Sequence, residues 1–349
     1  MPAPEREADE SLMLREAREA PAAAARALAA NERAIHEIVR RLRQCPPPFA
    51  VTCARGSSDH AATFAKYLFE TRLGLVTASI GPSVSSVYAA PLRVKDALFL
   101  AISQSGRSPD LLRMANAARA GGAFTVAFVN DAGSPLAEAC EAMLPLHAGP
   151  ERSVAATKSV LAAMTAVLQL FAAWHGDSAF GRVLAALPAD LEIAAHADWR
   201  AAVPPLRDAR HLYVAARGIG LAAAQEAALK LKETAGLHAE ALSAAELMHG
   251  PLALAGPDFP VLLLSQPDEA QAGLAALAQE FARRRVPLIT AGIGALPGSI
   301  DLPVAAGRDP LVAPLLLLQS FYPLADAVAR ARGRDPDRPP HLSKVTETL

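Results

Sequence analysis

At 349 residues the chain exceeds the size at which one hydrophobic core keeps growing, so two domains are expected. Hydrophobic residues make up 52% and charged residues 20%, ample for packed cores and too little charge for a disordered chain. A formal net charge of −1 and an aromatic content of 5% argue against nucleic acid as a partner, and nothing in the composition calls for a metal or an organic cofactor.

The first residues, Met1-Pro-Ala-Pro-Glu-Arg-Glu, are polar and acidic, without the apolar run of a signal peptide. Cys45, Cys53 and Cys140 show no CxxC spacing and read as free thiols, so a cytoplasmic protein is expected. From Ser11 to Gln44 the chain is rich in Ala, Leu, Arg and Glu, with Ile35, Ile38, Val39 and Leu42 at helical spacing, which predicts a helical arm over 1–45. Short apolar runs then alternate with helical segments: Phe49–Cys53, Val76–Ile80, Ala97–Ile102, Phe124–Asn130 and Met143–His147. This is the pattern of an α/β fold with a parallel sheet covered on both faces. A helix bearing Leu184, Leu187 and Leu191 leads into Val203-Pro-Pro-Leu, which places a linker between Asp177 and Asp208.

The programme then restarts at His211–Arg217 and continues through Pro260–Ser265, Val286–Ala291 and Leu302–Ala305. Ala54-Arg55-Gly56 recurs as Ala216-Arg217-Gly218, and each copy is followed at the same spacing by Gly-Leu, at Gly74 and Gly236. A duplicated α/β unit explains this, with domains over 46–195 and 196–335 and a tail over 336–349. The apolar stretch from Leu311 to Ala325 is interrupted by Pro314, Gln319 and Pro323; it falls short of the ~20 residues of a membrane span and reads as a buried helix.

Ligands of a parallel sheet bind beyond the carboxyl ends of its strands, where loops enter helix N-termini with unpaired N–H groups. Arg55-Gly56-Ser57-Ser58 and Ser103-Gln104-Ser105-Gly106-Arg107-Ser108 both follow apolar strands and open helices. Taken singly, each could be a plain N-cap; two at equivalent strand ends point to a phosphate ester. Ala148–Lys158, with Val154 and Ala156, places small residues before another helix. In the second half Glu226, Lys230 and Glu233 share one helix face, which is either a solvated salt-bridge face or a carboxylate–amine pair for proton transfer on carbon. His249 lies in a Gly-Pro turn and Lys344 in a polar tail; by composition alone both are unremarkable.

In order, these segments resemble the sugar isomerase (SIS) family: the isomerase half of glutamine:fructose-6-phosphate aminotransferase and its standalone relatives, including the type II glucosamine-6-phosphate deaminases. The matching stretches are Met13–Pro21, Ala54–Ala61, Ile102–Ser108, Ala148–Lys158, Glu226–Glu233, His238–Glu240, Glu246–Leu254 and Leu342–Lys344. The resemblance implies two tandem SIS domains, each a flavodoxin-like parallel sheet with helices on both faces. It also implies a hexose or hexosamine 6-phosphate held by Ser57, Ser103, Gln104, Ser105 and Ser108, with backbone of Gly56, Val154 and Ala156. Glu233 would move the proton between C1 and C2 with help from Lys230. His249 would open the ring from the neighbouring subunit of a homodimer, and Lys344 would form a Schiff base with the open ketose. Arg55 stands where the family has a cysteine and Ala156 where it has a serine, so phosphate binding is expected to lean on arginine. No glutamine-hydrolysing segment precedes the isomerase unit in the sequence, which favours release of ammonia over its incorporation. The expected activity is conversion of glucosamine 6-phosphate to fructose 6-phosphate and ammonia. Alternatives are a galactosamine 6-phosphate deaminase, a deglycase of glycated amino-acid phosphates, a simple phosphosugar isomerase and a non-catalytic phosphosugar-binding regulator.

Overall fold

The computed structural model describes residues 10–344. The helical arm comprises three helices, Leu12–Arg18, Ala20–Ala30 and Glu32–Gln44. The first break falls before Pro21, the second at Asn31, whose side-chain amide donates to the Pro145 carbonyl.

Two five-stranded sheets follow, all of whose strand pairs are parallel. The first contains β1 (Ala50–Ala54), β2 (Thr77–Ser79), β3 (Leu98–Ser103), β4 (Phe124–Val129) and β5 (Ala142–Pro145), in the order β2-β1-β3-β4-β5. The second contains β6 (His211–Ala216), β7 (His238–Ser243), β8 (Val261–Leu264), β9 (Leu288–Ala291) and β10 (Ile300–Leu302), in the equivalent order β7-β6-β8-β9-β10. Even the register repeats: Cys53 lies opposite Ala101, and Ala215 opposite Leu263. Helices Ser57–Leu73 and Leu221–Ala235 both end on a left-handed glycine, Gly74 and Gly236, a conformation other residues adopt only at a cost.

Strand β7 lies in a segment read from the sequence only as a stretch of family resemblance. His-Ala-Glu-Ala-Leu-Ser is poor in β-branched residues, and as the edge strand of its sheet it leaves His238 and Glu240 exposed, so it carries little apolar signal. Strand β10 begins before the apolar run Leu302–Ala305 and includes Asp301, which Thr290 binds from β9.

Strand periodicity divides the apolar residues between layers. Leu98, Leu100 and Ile102 of β3 join Leu212, Val214 and Ala216 of β6 in one central core shared by both sheets. The intervening Phe99 and Ala101 face an outer cluster beside helix Pro109–Ala120, and Tyr213 and Ala215 face another beside helix Gln271–Arg283. The arm contributes Met13, Ala17, Ile35 and Ile38 to the central core, and the apolar stretch after Leu311 forms the buried helix Ala313–Ala331 across it. Fully burying a Leu or Phe contributes about 1.5–3 kcal/mol, so this shared layer binds the halves and the arm into one body. Among the described residues no helix is long and apolar enough to cross a membrane.

Candidate active site

A cavity of about 320 Å³ opens at the carboxyl ends of β1 and β3. The loop after β1 turns at Gly56 (φ 54°), and helix Ser57–Leu73 begins at once. The loop after β3 is fastened by Ser103, whose hydroxyl accepts from the Gly106 amide at 3.0 Å. Gly106 has a positive φ, and a Cβ there would lie 2.2 Å from Ser134 Oγ, so the turn requires glycine. Helix Pro109–Ala120 starts after Ser108, and helix Lys158–His175 starts beside the third wall, where Val154 and Ala156 lie. Three helix N-termini thus meet at one cavity, a field and a set of amides suited to an anion.

Arg55 sits at the rim with its guanidinium anchored: Nε and Nη2 donate to one oxygen of the buried Asp110 carboxylate, at 2.9 and 2.7 Å. The arginine expected to serve the phosphate is therefore held by a carboxylate beneath it, with Nε and Nη2 engaged. Asp110 itself was missed as a site residue; its only signal was its place in the first turn of the helix after the second serine loop.

The cavity floor comes from the other half. Lys230 is fully buried on helix Leu221–Ala235; its ammonium lies 2.5 Å from the Glu233 carboxylate and 3.5 Å from that of Glu226. Burial opposes its charge, but Glu226 and Glu233, with Glu151 farther off, outweigh burial and hold Lys230 above the usual lysine range. Glu233 keeps a fifth of its side chain exposed (20%), toward the cavity. Glu226 is completely buried, and its second oxygen meets His60 Nδ1 at 2.7 Å.

The third wall is built around the buried Glu151. Its carboxylate accepts from the Thr157 and Ser159 amides, the Ser159 hydroxyl and, at 3.1 Å, Lys344 Nζ from the tail. Burial pushes its pKa up, yet Lys344 and the Ser159 and Thr157 donors more than reverse this and leave it below the ordinary range. The arm fixes the same wall, because Glu16 accepts from the Arg152 and Ser153 amides.

Arg55, Gly56, Ser57, Ser58, Ser103, Gln104, Ser105, Ser108, Val154, Ala156, Lys230, Glu233 and Lys344 all line this one cavity. His249 does not: it is exposed in the turn between helix Ala244–Leu247 and Pro251. The residues beyond Lys344 lie outside the described part of the tail. His60, Asp110 and Glu151 carry no site signal in the sequence, and Glu226 only its place on a helix face. Among the described residues no group of three or more His, Cys, Asp or Glu could hold a metal ion.

The SIS domain matches residues 50–173 and 205–295. The chain belongs to the SIS family. A candidate phosphosugar isomerase from Silicibacter pomeroyi DSS-3 is 42% identical, with a TM-score of 0.88, over 94% of this chain and all of that one. The glutamine–fructose-6-phosphate aminotransferase of Pyrobaculum aerophilum is 36% identical over 83% of this chain and 50% of its own length. The C-terminal domain of glucosamine-fructose-6-phosphate aminotransferase from Francisella tularensis has a TM-score of 0.83 at 24% identity, covering 96% of this chain and all of that one. The chain spans about half the length of the curated relatives it matches.

Proposed function

We propose that this SIS protein is an aldose–ketose isomerase of phosphosugars that deaminates a hexosamine 6-phosphate, converting glucosamine 6-phosphate and water to fructose 6-phosphate and ammonia. The observation that carries the reading is that Glu233 and Lys230 line the same cavity as the two serine loops. A phosphate held at the helix N-termini would bring C1 and C2 of an open-chain sugar near the Glu233 carboxylate. Glu233 then takes the C2 proton and returns it to C1, while the Lys230 ammonium stabilises the oxygen at C1 as negative charge develops there. Water adds to the resulting ketimine at C2, and ammonia leaves. This direction needs only water beyond the groups gathered here. His249 is exposed on its own chain beside the half-exposed Met248, with the exposed Leu254 just beyond, which supports its delivery to the site of a second copy in a homodimer.

One contact favours a second reading. Schiff-base formation needs a neutral amine, but Lys344 faces the ionised, buried Glu151. A Lys344 engaged in this ion pair forms no imine, which supports isomerisation of a phosphosugar without loss of nitrogen.

The test is ammonia and fructose 6-phosphate formation from glucosamine 6-phosphate by the native protein and by Glu233→Gln. The variant is expected to lose about 10²–10⁴-fold in kcat. Ammonia release at the native rate would remove Glu233 from the mechanism. Isomerisation without ammonia selects the second reading, and binding without turnover of any phosphosugar selects a regulator.

A further inference from the structure

We infer that His60, on the helix that begins at the phosphate loop, is a positioning residue for the proton-transfer pair in the other half: it donates to Glu226 and thereby divides the Lys230 charge between Glu226 and Glu233. The inference rests on the role proposed above for Glu233.

The geometry is a line of four side chains. His60 Nδ1 lies 2.7 Å from Glu226 Oε2, Lys230 Nζ 3.5 Å from Glu226 Oε1, and Lys230 Nζ 2.5 Å from Glu233 Oε2. Glu226 and Lys230 are wholly buried, whereas His60 retains 16% of its side-chain surface and lines a second cavity of about 370 Å³ behind the catalytic helix. A buried carboxylate must be hydrogen-bonded to remain charged. Glu226 Oε1 has no hydrogen bond, because Lys230 meets it only as an ion pair, so Glu226 relies on His60. Glu226 meets Lys230 as a carboxylate in an ion pair, so in the short contact it is the acceptor and His60 Nδ1 the donor.

The remaining charged neighbours do not take over this task. Asp59 and Arg55 flank His60 on its own segment, and Lys232, His238 and Glu240 border the second cavity. Glu151 and Tyr322 face the Lys230–Glu226 pair from the third wall and the C-terminal helix; the phenol of Tyr322, with its pKa raised by burial first and the carboxylates second, stays neutral and donates to the Thr157 carbonyl.

Without the histidine donor the buried Glu226 carboxylate has no hydrogen bond, and Lys230 is no longer held in its place between Glu226 and Glu233. His60→Ala is therefore expected to lower kcat about tenfold with KM within about twofold. His60→Asn, whose amide places an N–H near the position of Nδ1, should restore most of kcat. Equal impairment of the two variants or a native kcat in His60→Ala overturns the inference. An arm independent of turnover uses 15N-histidine-labelled native protein, with the His60 resonance assigned by its loss in His60→Asn. A proton on Nδ1 is expected, and an unprotonated Nδ1 overturns the inference. If the native protein turns over no phosphosugar, the proposed function has failed and this spectrum alone decides the role of His60.

Discussion

The two halves repeat the same sheet order and register, yet among the described residues the strand-end loops that line the candidate active-site cavity come from the first half. In the first half Ser57 and Ser58 follow the glycine, and Gln104 stands at the rim. In the second Ile219 and Gly220 take the serine positions, and Pro267 and Asp268 follow Gln266. Gln266 has turned inward and is fully buried, its amide donating to the Arg217 carbonyl and to Asp268, both at 2.8 Å. Its carbonyl occupies the space a Cβ on Gly220 would need, 2.3 Å away. The loop that in one half leaves an anion site open is packed shut by its own side chain in the other. With its loop filled, the second half contributes from farther along its helix, at Lys230 and Glu233. Duplication of a fold thus carries over the backbone, while the chemistry depends on which side chains each copy turns into the cleft.

Exchanging loop chemistry between the halves should have the greatest consequence. Removing hydroxyls from the open loop, in Ser57→Ala combined with Ser103→Ala, should weaken fructose 6-phosphate binding about 100-fold, since a hydrogen bond to a charged group contributes roughly 1.5–3 kcal/mol. Ile219→Ser, which adds a hydroxyl at the equivalent place in the closed loop, should leave titration calorimetry unchanged at one ligand per chain. A second bound ligand in Ile219→Ser would show that the closed loop retains binding capacity. Next in size is Gln266→Ala, which strips a buried amide and leaves the Arg217 carbonyl without that donor. A loss of about 1–3 kcal/mol in stability is expected from denaturant unfolding, again with one ligand bound. Unchanged stability would mean that Gln266 fills the loop without bracing it.

The same contrast explains what was legible in the sequence. The duplication, the parallel sheets, the serine loops and the Lys230–Glu233 pair are written in local patterns: apolar runs, glycines at helix ends, hydroxyls at helix starts and helical spacing. What escaped depends on partners far apart in the chain. Glu226 at helical spacing from Lys230 looks like half of a surface ion pair, and only folding brings His60 to it from the other half. Asp110 reads as an ordinary acidic first-turn residue until Arg55 is placed over it. Glu151 is near in sequence to Thr157 and Ser159, but they bind it through an irregular turn that no period marks, and its charged partner Lys344 comes from the tail. The closure of the second loop was also hidden: a glutamine after a strand can face a ligand or its own loop, and that is decided by the space beside Gly220.

The smallest expected effect concerns a point where the second half reaches back into the first, the contact of Lys344 with Glu151. In the folded chain the Glu151 carboxyl is held below its ordinary value of 4.5, despite burial, by Lys344 and by the Ser159 and Thr157 donors. A group whose pKa falls on folding stabilises the fold above its unfolded value and loses that contribution as pH falls through its folded value. Replacing Lys344 by Met should therefore cost on the order of 1 kcal/mol at neutral pH, because Lys344 is partly solvated and Glu151 keeps its other donors. The difference between native and Lys344→Met stability should hold constant above the ordinary carboxylate range and close below it, measured by denaturant titrations at stepped pH. A difference that persists undiminished into acid would assign the effect to packing of the lysine stem, and the tail would then be held to the first half by contact rather than by charge.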